Sequence, residues 1–178
     1  MRIIAGAAKG RHLTSPPPGT RPLTGRVREA LFSILADSVT GASVLDLYAG
    51  SGSFGLEALS RGAASAVFIE ADRATVAVLE SNIATTAIGG RAVRSDVGTF
   101  LSGSRERFDM VLIDPPYVLA DGAVDDILRL VADRLEDGGT VVVHRRAGSG
   151  RPASDNLRLS DQRRYGDSEL WLYQKEEG

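Results

Sequence analysis

From Ser43 onward, short apolar runs alternate with longer segments whose apolar residues recur at helical spacing. Such alternation is typical of a parallel sheet that helices cover on both faces. The last two strand-like segments follow each other closely and predict a closing antiparallel pair. The predicted strands are SVLDL, SAVFIE, RAVRSD, FDMVLID, TVVVH, NLRLSDQRRY and SELWLYQ, and the helices between them are FGLEALSRG, DRATVAVLESNIATT and AVDDILRLVADRL. We therefore expect an α/β protein with a mostly parallel, seven-stranded sheet.

The N-terminal residues follow a different pattern. RIIAG and GRHL predict a small hairpin across AAKG, and the consecutive prolines of TSPPPGTRP exclude helix and central strand. TGRVREALFSIL then predicts a helix capped by Thr24, with one apolar face and two arginines that reach outward. The apolar face is Val27, Leu31, Ile34 and Leu35, and the outward arginines are Arg26 and Arg28. We expect residues 1–40 to form an N-terminal extension and residues 41–178 to form a second domain.

The composition fits a single compact fold, because 43% of the 178 residues are apolar, enough for a sizeable core. The chain has no cysteine, which excludes disulfides and cysteine-based metal or redox sites, and no other motif predicts a metal. The sequence shows neither a signal peptide nor an apolar run of membrane-spanning length. We therefore expect a cytoplasmic protein without membrane contact.

Charge is distributed unevenly along the chain. The net charge is −2, yet residues 1–28 contain six basic side chains and no acid. A basic segment on an acidic body favours binding to a polyanion, although a solvated surface with chance charge would have the same composition. The basic side chains are Arg2, Lys9, Arg11, Arg21, Arg26 and Arg28.

A glycine-rich turn joins the first predicted strand to its helix. Gly50, Gly52 and Gly55 permit a tight turn and let a ligand approach the backbone near the helix N–H groups. Glu70 ends the second strand, where an acid can accept hydrogen bonds from ribose hydroxyls. Asp96 ends the third, where a carboxylate or a nearby backbone group can bind an adenine amine. Ligands bind at the carboxyl ends of such strands, so these features predict a nucleoside site.

Asp46 distinguishes between the cofactors that the glycine spacing allows. The spacing also matches the dinucleotide pattern G-x-G-x-x-G, which alone does not separate one cofactor from another. A carboxylate in the first strand would repel a pyrophosphate, but it suits a positive amino group such as that of S-adenosylmethionine (SAM). Asp46 can also accept hydrogen bonds from the glycine turn itself, and the two roles are compatible.

The segment IDPPY follows the fourth predicted strand. Asp114 offers carboxylate oxygens, while Pro115 and Pro116 offer carbonyls and no N–H group. These acceptors suit a planar NH2 group, and Tyr117 provides a face on which a base can stack. Hydrogen bonds from both N–H groups would favour a tetrahedral nitrogen whose lone pair can attack a methyl group, on a base flipped out of any duplex. Taken alone, the segment is also compatible with a plain Asp-Pro turn.

Together these residues resemble a class I SAM-dependent methyltransferase, which has a Rossmann-like fold, and DPPY resembles the amino-methyltransferase signature. Nearly end to end, the chain is similar to the ribosomal RNA small-subunit methyltransferase D family. The matching segments are MRIIAGAAKGRHL, RPLTGRVREALFSIL, VLDLYAGSGSFGLEALSRGA, DPPY and RRYGDSELWLY. That family methylates N2 of a guanine in bacterial 16S rRNA. The resemblance thus implies SAM as the methyl donor and 16S rRNA, in the small ribosomal subunit or an assembly intermediate, as the partner of a monomer.

The resemblance also implies roles for individual residues. The N-terminal segment and the helix after Thr24 would contact RNA. The chain departs from the family at Leu23, Gly25 and Ser33, which affects the start of that helix rather than the reaction. The expected cofactor contacts are Asp46, Tyr48, Gly50, Ser51, Gly52, Glu70, Asp96 and Val97, and the expected target contacts are Asp114, Pro115, Pro116 and Tyr117.

Three other functions fit part of the sequence. Methyl transfer to a protein amide or a small amine uses the same signature but leaves the basic segment unexplained. An NAD-dependent oxidoreductase fits the glycine spacing but explains neither DPPY nor Asp46. A non-catalytic RNA-binding module would bind rRNA without transferring a methyl group.

Overall fold

Seven strands and five α-helices make up the computed structural model, which describes residues 1–15 and 24–176. The strands are β1 (Ser43–Leu47), β2 (Ser65–Glu70), β3 (Arg91–Arg94), β4 (Phe108–Ile113), β5 (Leu135–Arg146), β6 (Arg158–Tyr165) and β7 (Ser168–Gln174). The helices are α1 (Gly25–Leu35), α2 (Ser53–Ser60), α3 (Arg73–Thr86), α4 (Val97–Gly103) and α5 (Asp121–Ala132). The stretch 16–23 of the predicted extended segment, with Arg21 and Leu23, lies outside the described residues.

The strands form one sheet in the order β3-β2-β1-β4-β5-β7-β6. Strands β1 to β5 pair in parallel, and β7 runs antiparallel between β5 and β6. This arrangement confirms the predicted fold class, including the closing antiparallel pair. No helix in the described part of the chain combines the length and apolarity that a membrane span requires.

Two hydrophobic clusters cover the two faces of the sheet. The first face packs against α1, α2, α3 and the N-terminal residues, and the second packs against α4 and α5. Side chains alternate between faces along a strand, and Val44, Phe68, Leu112 and Val142 belong to the first cluster. The polar residue two positions after each of them therefore lies on that same face, at the carboxyl edge of the sheet: Asp46, Glu70, Asp114 and His144.

The region after β3 differs from its prediction. The strand ends at Arg94, and a short helix, α4, stands where a connecting segment was expected. Asp96 is the N-cap of this helix, since its Oδ1 accepts a hydrogen bond from the Thr99 N–H at 2.9 Å. Asp at this position satisfies a helix N–H group that would otherwise lack a partner.

The N-terminal residues form the predicted hairpin and pack onto the first face. Arg2 and His12 form an antiparallel bridge, and the Ile3 N–H donates to the Arg11 carbonyl at 3.0 Å. The buried side chains Ile3, Ala8 and Leu13 belong to the first cluster. The hairpin therefore shares a core with the sheet.

The prediction that Arg28 reaches outward is wrong. Its side chain is 1% exposed and lies beside Glu57 of α2, with Nε 3.7 Å from Oε2. Burial lowers the pKa of Arg28, while the Glu57 carboxylate opposes that shift. Glu57 also accepts hydrogen bonds from the N–H groups of Ile4 and Ala5, at 2.8 and 3.1 Å. Arg28 and Glu57 thus anchor the hairpin to α1 and α2.

Candidate active site

The glycine turn between β1 and α2 adopts a backbone that suits glycine. Gly52 has a φ of 80°, and a Cβ there would lie 2.6 Å from Leu79 Cδ1. Tyr48, with a φ of 59°, shares this left-handed conformation despite its side chain. The turn therefore brings backbone close to α3 and leaves Gly50 facing open space, where a Cβ would meet nothing nearer than 4.0 Å.

Glu70 is held against this turn. Its Oε2 accepts a hydrogen bond from the Gly50 N–H at 3.1 Å, and its Oε1 accepts one from the Asp72 N–H at 3.0 Å. The end of β2 and the glycine turn therefore meet, as the sequence predicted for a nucleoside site.

Asp46 is a buried carboxylate with one unused oxygen. It is 1% exposed, and its Oδ2 accepts a hydrogen bond from the Gly55 N–H at 2.9 Å. Oδ1 is also buried, and no residue that the structure describes donates a hydrogen bond to it. Burial raises the pKa of Asp46 well above its ordinary value, the Gly55 hydrogen bond opposes this, and the nearby charges of Asp114 and Glu70 add to it. Such an oxygen suits a ligand that brings a donor or a positive charge.

Tyr48 and Asp96 are close enough for the charge of Asp96 to act on the Tyr48 hydroxyl. Burial raises the pKa of the half-buried Tyr48, and the charge of Asp96 raises it further. One oxygen of Asp96 caps α4, while Val97 begins that helix, where N–H groups have no intrahelical partner. The structure therefore brings the ends of β1, β2 and β3 together at the predicted cofactor site.

Asn82 is a residue of this site that the sequence analysis missed. Its buried amide donates to the Ser51 carbonyl and to the Thr14 carbonyl, both at 2.9 Å. Its oxygen accepts a hydrogen bond from the Thr14 N–H at 2.9 Å. One side chain of α3 thus connects the glycine turn to the end of the N-terminal hairpin. The signal for Asn82 in the sequence was a polar residue on the helix face that packs against the sheet.

The DPPY segment lies where β4 leaves the sheet. The Asp114 N–H donates to the Leu47 carbonyl at 3.4 Å, which places this residue next to the start of the glycine turn. Pro115 is buried, and the Pro116 carbonyl accepts a hydrogen bond from the Leu119 N–H at 2.9 Å. Tyr117 is 42% exposed, which leaves part of its ring accessible.

His144, the last residue of the predicted strand TVVVH, is joined to Asp114. Its Nδ1 lies 2.7 Å from Asp114 Oδ1, and its Nε2 lies 3.0 Å from Ser168 Oγ. Its ring meets that of Tyr117 edge to face, with centroids 6.3 Å apart. The contact depends on the register of β5 beside β4 and β7, which the sequence does not reveal.

The predicted RNA-binding residues divide into two groups. Arg2, Lys9, Arg11 and Arg26 are exposed, whereas Arg28 is buried and therefore not available for a phosphate contact. Arg21 falls outside the described residues. Because the hairpin and α1 pack on the same sheet face as Asp114, the exposed group and DPPY lie on one side of the sheet.

Comparison with known proteins identifies the family. Residues 1–174 match the family model described as Conserved hypothetical protein 95. Ribosomal RNA small subunit methyltransferase D of Escherichia coli (strain K12) is 40% identical, over 99% of this chain and 90% of that protein. Putative rRNA methyltransferase YlbH of Bacillus subtilis (strain 168) is 32% identical, over 98% of this chain and 99% of that protein.

A solved structure, the putative methyltransferase yhhF from Escherichia coli, has the same fold. It superposes with a TM-score of 0.89 at 39% identity, over 100% of this chain and 99% of that chain. The chain therefore belongs to the Conserved hypothetical protein 95 family, which is that of the ribosomal RNA small-subunit methyltransferase D proteins.

Proposed function

We propose that this protein transfers a methyl group from SAM to the exocyclic N2 amine of a guanine in 16S rRNA. The observation that carries the proposal is the position of Asp114 at the end of β4, beside the strand that bears Asp46. Leu47 pairs with Ile113 in the sheet, so the glycine turn and DPPY leave neighbouring strands at the same edge. Membership of the family supports rRNA as the substrate.

The residues at the ends of β1, β2 and β3 fit SAM. When bound, SAM supplies an electrophilic methyl group on a positively charged sulfur. The unused oxygen of Asp46 suits the amino group of the methionine part, because both the charge and the hydrogen-bond donors match. Glu70 is anchored by backbone N–H groups and would accept hydrogen bonds from the ribose hydroxyls. Asp96 and the N–H of Val97 would flank the adenine.

Tyr48, Ser51 and the glycines complete this pocket. Tyr48 would line it between the ribose and adenine positions, since it begins the glycine turn and its hydroxyl feels the charge of Asp96. Gly50 and Gly52 let the ligand approach the turn, and Ser51 holds the turn to Asn82. These roles would give the pocket its shape without any metal ligand. No metal-binding group of three His, Asp or Glu side chains occurs within residues 1–15 and 24–176.

The DPPY segment would hold the target amine. Asp114 and the Pro115 carbonyl each accept one N–H bond of the amino group, because the Pro116 carbonyl already accepts a bond within its own turn. This pairing positions the nitrogen and favours its lone pair for attack. Asp114 can also take up the proton that the nitrogen releases. Tyr117 would stack on the flipped-out base.

The exposed basic side chains of the hairpin and α1 would contact phosphates. Arg2, Lys9, Arg11 and Arg26 form this group, and Arg28 instead holds the hairpin in place. These side chains would contact phosphates rather than base edges, so we expect recognition of a folded RNA surface by its shape. We expect a monomer that acts in the cytoplasm, where bacterial small subunits are assembled.

The proposal is tested by transfer of a labelled methyl group from SAM. The substrates are small ribosomal subunits that lack the modification, naked 16S rRNA and a mixed protein extract. We expect label in RNA, and the better RNA substrate shows when in assembly the enzyme acts. Label confined to protein would overturn the proposed substrate, and rRNA binding without transfer would indicate a non-catalytic module.

The phosphate contacts are tested by charge reversal. We expect the double variant Lys9→Glu, Arg26→Glu to weaken binding of the RNA substrate. The slope of log affinity against log salt concentration should become shallower by about 0.7 to 0.9 per lost contact. SAM affinity should not change. Arg105→Glu is the matched control, because Arg105 is exposed just before β4 and belongs to neither the hairpin nor α1. Equal effects of control and test variants would show that the charge of the hairpin is incidental.

A further inference from the structure

His144 makes hydrogen bonds that a residue with only a packing role in β5 would not require. It is 1% exposed, and Val142, two residues before it on the same face of β5, is a buried apolar residue. Burying an imidazole costs free energy unless its nitrogens are hydrogen-bonded. Both nitrogens have partners, and one of these is Asp114, the residue proposed to hold the target amine.

The chemistry of the partners sets the direction of both hydrogen bonds. An ionised Asp114 only accepts, so His144 Nδ1 must carry a proton and donate to Oδ1. In the neutral ring, Nε2 then has no proton and accepts from the Ser168 hydroxyl. The hydrogen bonds from Ser168 to His144 and from His144 to Asp114 therefore select one tautomer of the imidazole, as a hydrogen-bond partner of a functional histidine does at other sites.

We propose that His144 is a positioning residue for methyl transfer, which rests on the proposed role of Asp114. Its Nδ1–H occupies Oδ1 and fixes the rotation of the carboxylate, so that Oδ2 faces the target amine. Ser168 holds the ring in the required tautomer. The ring also supports Tyr117 through their edge-to-face contact, with an interplanar angle of 62°. One buried side chain thus orients both the acceptor and the stacking surface for the base.

Loss of this hydrogen bond should reduce the rate of transfer more than the affinity for either ligand. A carboxylate with 26% of its side-chain area exposed has room to rotate once Nδ1 is gone. Small displacements of a reacting group can cost on the order of 100-fold in rate. SAM binds at the neighbouring strand ends, so its affinity should be preserved. Most of the RNA affinity comes from phosphate contacts, and Tyr117 keeps its aromatic face in a His144 variant, so RNA affinity should fall much less than the rate.

Two amide substitutions separate positioning from packing. In His144→Asn the amide nitrogen lies near the place of Nδ1, whereas in His144→Gln the amide reaches toward the place of Nε2. We expect His144→Asn to retain the single-turnover rate within about fivefold and His144→Gln to lose about tenfold to 100-fold. Ser168→Ala, which leaves the imidazole in place, should lose less than His144→Gln. Equal rates for the two amide variants would overturn the proposal, provided that thermal unfolding shows both to be folded.

The tautomer provides a second readout, which needs neither SAM nor RNA. The chain has two histidines, so ¹⁵N-labelled histidine gives two sets of ring signals, and His12→Ala assigns them. We expect a proton on Nδ1 of His144 and none on Nε2, with Ser168→Ala weakening that preference. A proton on Nε2 with a bare Nδ1 would overturn the proposal. If the wild-type protein transfers no methyl group, the proposed function fails, while this spectrum still decides the hydrogen bond.

Discussion

The two halves of the site are built in different ways. The cofactor half comes from consecutive elements between β1 and α4, and its polar groups bond to nearby backbone, as Glu70 does to Gly50. The target half joins β4 to strands much later in the chain, since His144 lies 30 residues after Asp114 and Ser168 a further 24. We propose that the first half is a general nucleoside site. The second is assembled by long-range contacts, and we propose that it selects the target.

The carboxylates of the two halves differ in burial and in hydrogen bonding. Asp46 is fully buried, keeps one oxygen without a partner among the described residues, and has a raised pKa. Asp114 is partly exposed and already bonded to His144. The first is arranged to receive a charged ligand, and the second is held in place before the substrate arrives. The two halves should therefore respond separately to substitution.

The largest effect is expected at Asp114. Asp114→Asn keeps the shape of the side chain but replaces an acceptor with an NH2 group, so we expect the transfer rate to fall on the order of 100- to 1000-fold. SAM affinity, measured by calorimetry, should change little. Asp126→Asn is the control, since Asp126 is an exposed carboxylate of α5 paired with Arg129. A near wild-type rate in Asp114→Asn would remove this residue from the mechanism.

The opposite pattern, weaker SAM binding with little change in transfer rate, is expected at Glu70. Glu70→Gln removes a charged acceptor for the ribose, and such hydrogen bonds contribute about 1.5 to 3 kcal/mol, or roughly 10- to 100-fold in SAM affinity. The transfer rate at saturating SAM should stay close to that of the wild type. Glu80→Gln, on the exposed face of α3, should alter neither quantity. Unchanged SAM affinity in Glu70→Gln would place the ribose elsewhere.

Asp46 should make SAM binding depend on pH. Burial raises the pKa of the Asp46 carboxyl group. A positive amino group beside Asp46 favours the ionised carboxylate, so SAM binding releases protons. Affinity should therefore rise with pH, by at most about tenfold per pH unit, until Asp46 is ionised in the free protein. Calorimetry in buffers of different ionisation enthalpy counts the released protons. A pH dependence that survives in Asp46→Asn would assign the effect to another group.

The same ionisation should weaken the ligand-free fold. Because the folded pKa of Asp46 lies well above its ordinary value of 3.8, its stabilising contribution is present below that value and is lost as pH rises through the folded pKa. Denaturant unfolding should show the wild type losing stability relative to Asp46→Asn with rising pH. A constant difference between the two proteins would contradict the raised pKa.

The smallest change in transfer rate is expected for Tyr117→Phe. Tyr117→Phe keeps the aromatic face and should change the transfer rate by less than about threefold. Tyr117→Ala removes that face and should cost about 1 to 3 kcal/mol of base stacking, seen as weaker RNA-substrate binding. Equal behaviour of the two variants would show that the ring does not contact the base.

Most of the cofactor half could be predicted from the sequence, because strand ends, glycines and acids follow one another locally. The position of Asp96 after the third strand was predicted, although its capping of α4 was not. The burial of Arg28 was missed even though Arg28, Leu31, Phe32 and Leu35 share helical spacing. Charge suggested an outward position, and the compensating Glu57 lies on another helix. His144 and Asn82 depend on strand register and helix packing, which no local pattern encodes.

The identity of the methylated nucleoside tests the central claim most directly. Exocyclic amines occur on guanine, adenine and cytosine, and the acceptors of DPPY alone do not distinguish them. After transfer of labelled methyl to small ribosomal subunits that lack the modification, the RNA is digested to nucleosides and separated. We expect label in N2-methylguanosine. Label in a methylated adenosine or cytidine, or none in RNA while protein is labelled, would contradict it.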